Sequence, residues 1–318
     1  MFADADLFAP PPSFLGAPHG LPEPGCRAAF LGVPFDCGVN PRRIGSRQGP
    51  LAVRLASWQV RRFNATAADF DPVARLGLVD AGDVRLTPGR VAESFPRIEA
   101  ALARVMRDGA IPVTMGGDGA ISLPIMRAVA RRHPGLVALH IDSHTDAKPW
   151  READGHDSGN QFTAAVREGL VDAARSWHVG VRGTIHAAGR VPFAESLGFR
   201  VVSMEALMAR GFAQMAAEFA EVAAGRPVCL CWDMDVFDPA AAPGVVSPNW
   251  GGLSAREGIA LMRALTGLDI VAVDINTVSP PHDPHEITAS LAAQITHEAL
   301  VLLCRKLGLD APAEPEMT

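Results

Sequence analysis

Two short stretches of this chain carry side chains that could hold a cation. Asp142, His144 and Asp146 recur at a spacing of two in Asp142-Ser-His144-Thr-Asp146, and Asp233-Met-Asp235 repeats the pattern later. On an extended segment, residues two apart project to the same side, so each stretch presents its donors together. Carboxylates gathered in one cleft repel one another unless something neutralises them. A divalent cation does so directly, and hard carboxylate oxygens with one imidazole suit Mn²⁺, Fe²⁺, Co²⁺ or Ni²⁺. A single Asp at a strand end is more often a cap or a solvating loop carboxylate. Two such motifs in one chain favour a metal.

These motifs need elements to position them. Apolar or β-branched runs predict strands at Ala28–Val33, Ile111–Met115, Leu136–Ile141, Trp177–Val181, Phe199–Val202, Val228–Trp232 and Ile270–Ile275. Amphipathic stretches near 48–60, 90–108, 120–132, 159–169, 212–224, 254–265 and 285–306 predict helices, one opened by a Ser254 cap. This alternation implies an α/β fold, a single parallel sheet sandwiched by helices in three layers. Ligands of such sheets gather at the carboxyl ends of the strands. The Asp142 and Asp233 motifs both end apolar runs, and Asp118 follows a third. Residues 1–26, rich in Pro and Gly, read as an extended arm that could serve subunit contacts, with one domain over 27–318.

Composition narrows the partners. The 318 residues are 48% hydrophobic and 20% charged, enough apolar material for a sizeable core. The net charge of −6 comes from interspersed charges with no basic run, which argues against nucleic acid or an anionic membrane surface. No run of consecutive apolar residues approaches the ~18–20 of a membrane span. The opening MFADADLFAPPPSF is acidic and proline-rich, unlike a signal peptide, so a cytoplasmic location is expected. Cys26, Cys37, Cys229, Cys231 and Cys304 fit no disulfide framework and read as reduced thiols.

Seven segments in order, FLGVPFDCGVN (30–40), GSRQGPLAVR (45–54), DAGDV (80–84), GGDGAISLP (116–124), HIDSHTDA (140–147), CWDMDVFDPAAAPG (231–244) and SPPHDPHEITA (279–289), resemble signatures of the arginase–agmatinase (ureohydrolase) family. The resemblance implies hydrolysis of a guanidino group at a pair of Mn²⁺ ions, or Ni²⁺ in some members, in trimers or hexamers. It implies Asp142 and Asp233 as bridging carboxylates, His144 and Asp235 completing one metal site, and Asp146 in the other.

The chain departs from that pattern at three positions. Where the family's GGDH motif supplies a histidine to the second metal, this chain has Gly119. Where a His-Gly-x-x-Phe stretch supplies a proton-transfer histidine, it has Ser158. Where relatives carry a glutamate for the guanidinium, it has Thr277. The expected cofactor is therefore Mn or Ni as one ion or none, with no catalytic residue confidently kept. The expected role is a weakly active or inactive subunit of a hetero-oligomeric hydrolase of guanidino or biguanide compounds, similar to metformin hydrolase, completed by a paralogous catalytic chain. The alternative is a self-sufficient amidinohydrolase or amide hydrolase with an altered metal site. Among nearby residues, His156 could replace the lost proton-transfer histidine only in a rebuilt loop. Lys148 could offset carboxylate charge, Trp150 could border the cleft, and His282 and His285 read as capping or surface residues.

Overall fold

Strands buried on both faces read as unbroken apolar runs, whereas edge strands admit polar residues. Both kinds occur in the computed structural model, which describes residues 11–38, 40, 42–64 and 67–311. The strands are β1 (Ala28–Val33), β2 (Val79–Asp83), β3 (Ile111–Gly116), β4 (Val137–Ile141), β5 (Trp177–Val181), β6 (Arg200–Ser203), β7 (Val228–Asp233) and β8 (Ile270–Asn276). They form one eight-stranded sheet in the order β2-β1-β3-β8-β7-β4-β5-β6, with every pairing parallel. The expected single sheet between helical layers is what the chain adopts.

Helices α1 (Gly49–Ser57), α2 (Pro72–Leu76), α3 (Val91–Val105), α4 (Ser122–Ala130), α5 (Gln161–Arg167), α6 (Arg190–Ser196), α7 (Met204–Arg210), α8 (Phe212–Ala223), α9 (Ala255–Ala264) and α10 (Ile287–Lys306) divide between the faces. Helices α3, α4, α5 and α6 build one core layer, around Phe95, Ile98, Leu123, Ile125, Phe162 and Ala194. The other six build the second, around Val53, Leu76, Leu207, Phe219, Leu261 and Ile295. Starts follow local chemistry: Ser254 and Glu257 form a reciprocal capping box at α9. The Asp71 carboxylate likewise accepts the Val73 and Ala74 amides at α2. By length and composition α10 could cross a membrane, but 78% of its apolar window is buried inside the protein.

Strand β2 is the one strand not anticipated, and the short helices α2, α6 and α7 are not anticipated either. The β2 sequence, Val-Asp-Ala-Gly-Asp, has neither an apolar run nor alternation, and the strand lies at the sheet edge. The leader covers that edge. The Asp80 amide donates to Pro18 O and Gly20 N donates to Asp80 O. Phe14 stacks on Phe30 with ring centroids 4.4 Å apart, so this part of the leader joins its own core. Arg54 of α1 fixes the same corner, donating in bidentate fashion to Asp80 at 2.8 and 2.9 Å and also to Asp83. Arg54 and Asp80 are both buried. Arg54→Ala would strand Asp80 without its charge partner, which typically costs about 3–5 kcal/mol. Urea denaturation should show a midpoint lowered accordingly with an unchanged slope.

Candidate metal centre

The carboxyl ends of β3, β8, β7 and β4, four neighbours in the middle of the sheet, supply the loops of the site. Register sets the spacing: Ile141 pairs with Trp232 on β7, and Asp233 pairs with Asn276 on β8. Asp142 and Asp233 therefore leave adjacent strands at nearly one level, and Thr277 follows beside Asp233.

Asp142, His144 and Asp235 converge. Their potential ligand atoms lie within 4.8 Å of one another. His144 Nδ1 is 3.2 Å from Asp142 Oδ1 and 3.3 Å from Asp235 Oδ2. Around this trio, the Ser143 hydroxyl donates to Asp235 Oδ1 at 2.6 Å, and the Asn249 amide contacts His144 Nε2 at 2.9 Å. Such outer contacts orient a ligating imidazole and fix its tautomer. His140 is the neighbour the sequence reading missed. It precedes Asp142 by two on the same strand side, with Nε2 2.9 Å from Asp142 Oδ2 and Nδ1 2.9 Å from His178 Nδ1. The spacing of two that groups Asp142 with His144 extends back to it.

Electrostatics follow from burial. Burial opposes ionisation of Asp142, but His140 and His144 overcome it and hold its carboxyl far below the usual range. For His144, burial is outweighed by Asp235 and Asp142, which keep the imidazole cationic well above its ordinary range. Asp146, by contrast, is pushed well up by burial and the Asp142 charge. Asp233 is raised too, by burial and the charges of Asp235 and Asp142. Without a cation, the cluster must retain protons.

Two oxygen and one nitrogen donor in a buried, acid-rich pocket fit one divalent cation at Asp142, His144 and Asp235. A second group, His140, Asp142 and Asp146, also brings its potential ligand atoms within 4.8 Å of one another, but the donors around it are already engaged. Gly119, opening a short turn capped by Asp118, has no donor. Asp146 Oδ2 instead accepts a 2.6 Å hydrogen bond from Gln161 Nε2. Asp233 Oδ1 accepts from the Thr277 hydroxyl and, at 2.8 Å, from the Asp235 amide. Thr277 itself has φ +69°, a left-handed conformation unusual for a β-branched residue. Its amide donates to Gly117 O at 2.7 Å, which holds it there. Two of the three carboxylates implied for the second ion, Asp146 and Asp233, thus face protein donors.

Other expectations change. Asp118 ends its strand like the other acids but faces away, accepting from the Cys37 amide at 2.6 Å, and burial lifts its pKa to about 6. Lys148 offsets no cluster charge, because its ammonium pairs with Asp157. His156 is no substitute for the histidine missing at Ser158. It stacks on Trp150, with centroids 4.7 Å apart, and touches Arg127. Trp150 therefore packs on that loop, and it is not among the residues lining the cleft. Asp274 is occupied by Ser122, Thr114 and Asn276 and does not replace a glutamate at Thr277. His282 contacts Ser279 in a turn before α10. The cysteines are free thiols. Beside the site opens a cavity of about 480 Å³ bordered by His144, Asp146, Lys148, Ser158, Arg190 and Asn249 among others.

A parallel three-layer fold with this cluster of acids and imidazoles at its strand ends is a scaffold able to hold a metal centre. The Arginase family model matches residues 26–302, and the chain belongs to that family. It is 35% identical to guanidinopropionase of Pseudomonas aeruginosa over 97% of this chain and 96% of that one. It is 34% identical to chicken mitochondrial agmatinase over 92% and 85% of the two chains. Among solved structures, proclavaminate amidino hydrolase from Streptomyces clavuligerus superposes with a TM-score of 0.87 at 32% identity, covering 93% of this chain and 98% of that one.

The charge pattern has a thermodynamic consequence. Asp146 and Asp233 have raised folded-state pKa values, so the stability linked to their protonation is full at low pH and is lost as pH rises through those values. A cation competes with those protons and binds only the native site, so its stabilisation must grow with pH. In thermal melts of the metal-free chain and the chain saturated with Mn²⁺, the gap in Tm should widen from acid toward neutral pH. A gap independent of pH would mean that no cation enters the carboxylate cluster.

Proposed function

We propose that this arginase-family chain serves the hydrolysis of a C–N bond in a guanidino compound, with one divalent cation at Asp142, His144 and Asp235. We further propose that it reaches full activity only beside a paralogous catalytic chain. One observation carries this reading: the second cation position has a glycine for a ligand, and Asp146 is already hydrogen-bonded to Gln161. A bound cation supplies Lewis acidity and a water acidified to near neutral pH. Mn²⁺ suits the mainly oxygen donors, and Ni²⁺ suits the imidazole.

The chain's own residues support few of the remaining steps. Asp142 and Asp235 hold His144 in place, and Ser143 and Asn249 orient the group from outside. Proton transfer to a departing amine needs a base near the cavity. Ser158 stands where the family resemblance puts a histidine, and the nearby His156 is stacked away on Trp150. General acid–base help of this kind typically contributes ~10²–10⁴-fold in rate. A carboxylate that could grip the guanidinium at Thr277 is also missing, a charged hydrogen bond of about 1.5–3 kcal/mol. A biguanide hydrolase of two dissimilar chains is the specific form of this proposal.

A self-sufficient amidinohydrolase with an altered site is the second reading. The relatives named above favour it, since they include an agmatinase and a guanidinopropionase similar to this chain over most of its length. The intact Asp142–His144–Asp235 trio beside an open cavity favours it as well.

Purified chain, alone and co-expressed with its paralogue, separates the two. Both are to be assayed with agmatine, guanidino acids and metformin in the presence of Mn²⁺ or Ni²⁺. The lone chain should turn over at least ~10²-fold more slowly than the assembly, by the acid–base term alone. Robust turnover by the lone chain, abolished by His144→Ala, would establish the second reading instead.

A further inference from the structure

The space beside Gly119 is filled. A Cβ placed on Gly119 would lie 3.0 Å from Gln161 Nε2 and 3.1 Å from Asp146 Oδ2. The carboxamide thus lies where a side chain at position 119 would have to enter, against the carboxylate that side chain would share. Gln161 is buried, and its Oε1 has no hydrogen-bond partner among the described residues. The amide is therefore not held by an ordinary two-ended network. Its nitrogen contacts the acid, and its oxygen is left over.

The surrounding chain fixes it there. Gln161 is the first residue of α5. The start of that helix is tied to the Asp146 loop by Phe162 N to Asp146 O at 3.2 Å, Lys148 N to Gly159 O at 2.9 Å, and Thr163 Oγ1 to Lys148 O at 2.8 Å. Asp146 sits at φ +48°, a conformation that Asp tolerates better than most residues. One buried oxygen without a partner among the described residues remains at this position, Gln161 Oε1. Leaving a buried acceptor orphaned is costly, and a cation could relieve that cost only if the amide withdrew or turned.

We propose that Gln161 is a built-in substitute for the second cation. Its amide hydrogens neutralise part of the Asp146 charge and occupy the space of the missing ligand. Gly119 and Gln161 are then one coupled pair. Restoring a histidine at 119 alone cannot restore the second site, because the imidazole would enter the volume of the carboxamide. Gly119 has an ordinary backbone conformation, so the obstacle is Gln161 and not the main chain. The proposal rests on the one-cation reading for the count in the native chain, but the coupling stands on its own geometry.

The test counts ions. Native chain, Gly119→His, Gln161→Ala, the Gly119→His/Gln161→Ala double variant and Gln161→Glu are dialysed to equilibrium against Mn²⁺, and bound metal per chain is measured by elemental analysis. The electron paramagnetic resonance spectrum reports whether two ions are spin-coupled. The double variant should hold one ion more than the native chain and show the coupled spectrum. Neither Gly119→His nor Gln161→Ala alone should gain an ion. Gln161→Glu, which exchanges a donor for an acid at constant shape, should also gain one, so the proposal remains testable if the double variant misfolds. A gain by Gly119→His alone would overturn the coupling. So would the absence of a gain in both Gln161→Glu and a folded double variant. Two ions in the native chain would overturn both the substitute role and the one-cation reading. One ion throughout would overturn both the coupling and the substitute role while leaving the one-cation reading in place.

Discussion

The buried Asp142, Asp233 and Asp235 and the half-buried Asp146 lie at the ends of adjoining strands, and their mutual repulsion is the constraint around which the centre of this molecule is arranged. Asp146 is the least covered of them. Each has a compensating partner. Asp142 has His140 and His144, Asp235 has His144 and Ser143, Asp233 has Thr277, and Asp146 has Gln161. The partners differ in kind, and that difference divides the site. Imidazole partners leave a place for a cation, because a metal can take over the position of a proton on nitrogen. Asp146 and Asp233 have no imidazole among these partners and meet only a carboxamide and a hydroxyl, which direct hydrogens at the oxygens a metal would need.

The sheet supplies the convergence at little local cost. Strands β4, β7, β8 and β3 lie side by side, so loops far apart in sequence meet across a few ångströms. Buried arms of the network reach further down the strands. His140 connects Asp142 to His178 in the neighbouring strand, in direct register. Asp274 meanwhile satisfies Thr114, Ser122 and Asn276 below the site. A substitution in this layer would propagate to the ligands through hydrogen-bond geometry, as outer-shell groups do in metal sites generally.

How far the sequence disclosed this depends on the kind of signal. Seven strands declared themselves as apolar runs, six because they are interior and the edge strand β6 through Val201 and Val202. Strand β2 did not, since Asp80 and Asp83 face Arg54 and Gly82 turns at φ +77°. The paired spacing of Asp142, His144, Asp233 and Asp235 carried the metal reading, but residue type could not separate Asp118, which holds the loop at Cys37, from the others. Lys148 looked available because nothing local in sequence opposes it, yet Asp157 returns to it from the far side of a loop. Gln161 was invisible. A lone glutamine belongs to no ligand pattern, and only its proximity to Gly119 in space gives it meaning.

That proximity also explains how a scaffold can lose a ligand without losing its fold. With no side chain at position 119, Asp146 is met by nothing from that loop, and leaving an acid unpaired costs more than the net worth of one hydrogen bond. A donor reaching the same oxygen removes that penalty whatever its chemistry. Gln161 does so from a helix start already tied to the Asp146 loop, so it requires no rearrangement of the sheet. Thr277 does the equivalent for Asp233 from a strained turn held by Gly117. Folding stability needs only that each carboxylate be met by hydrogens, whereas cation binding needs at least some of them to be met by nothing. The two requirements diverge at the Gly119 position and agree at His144.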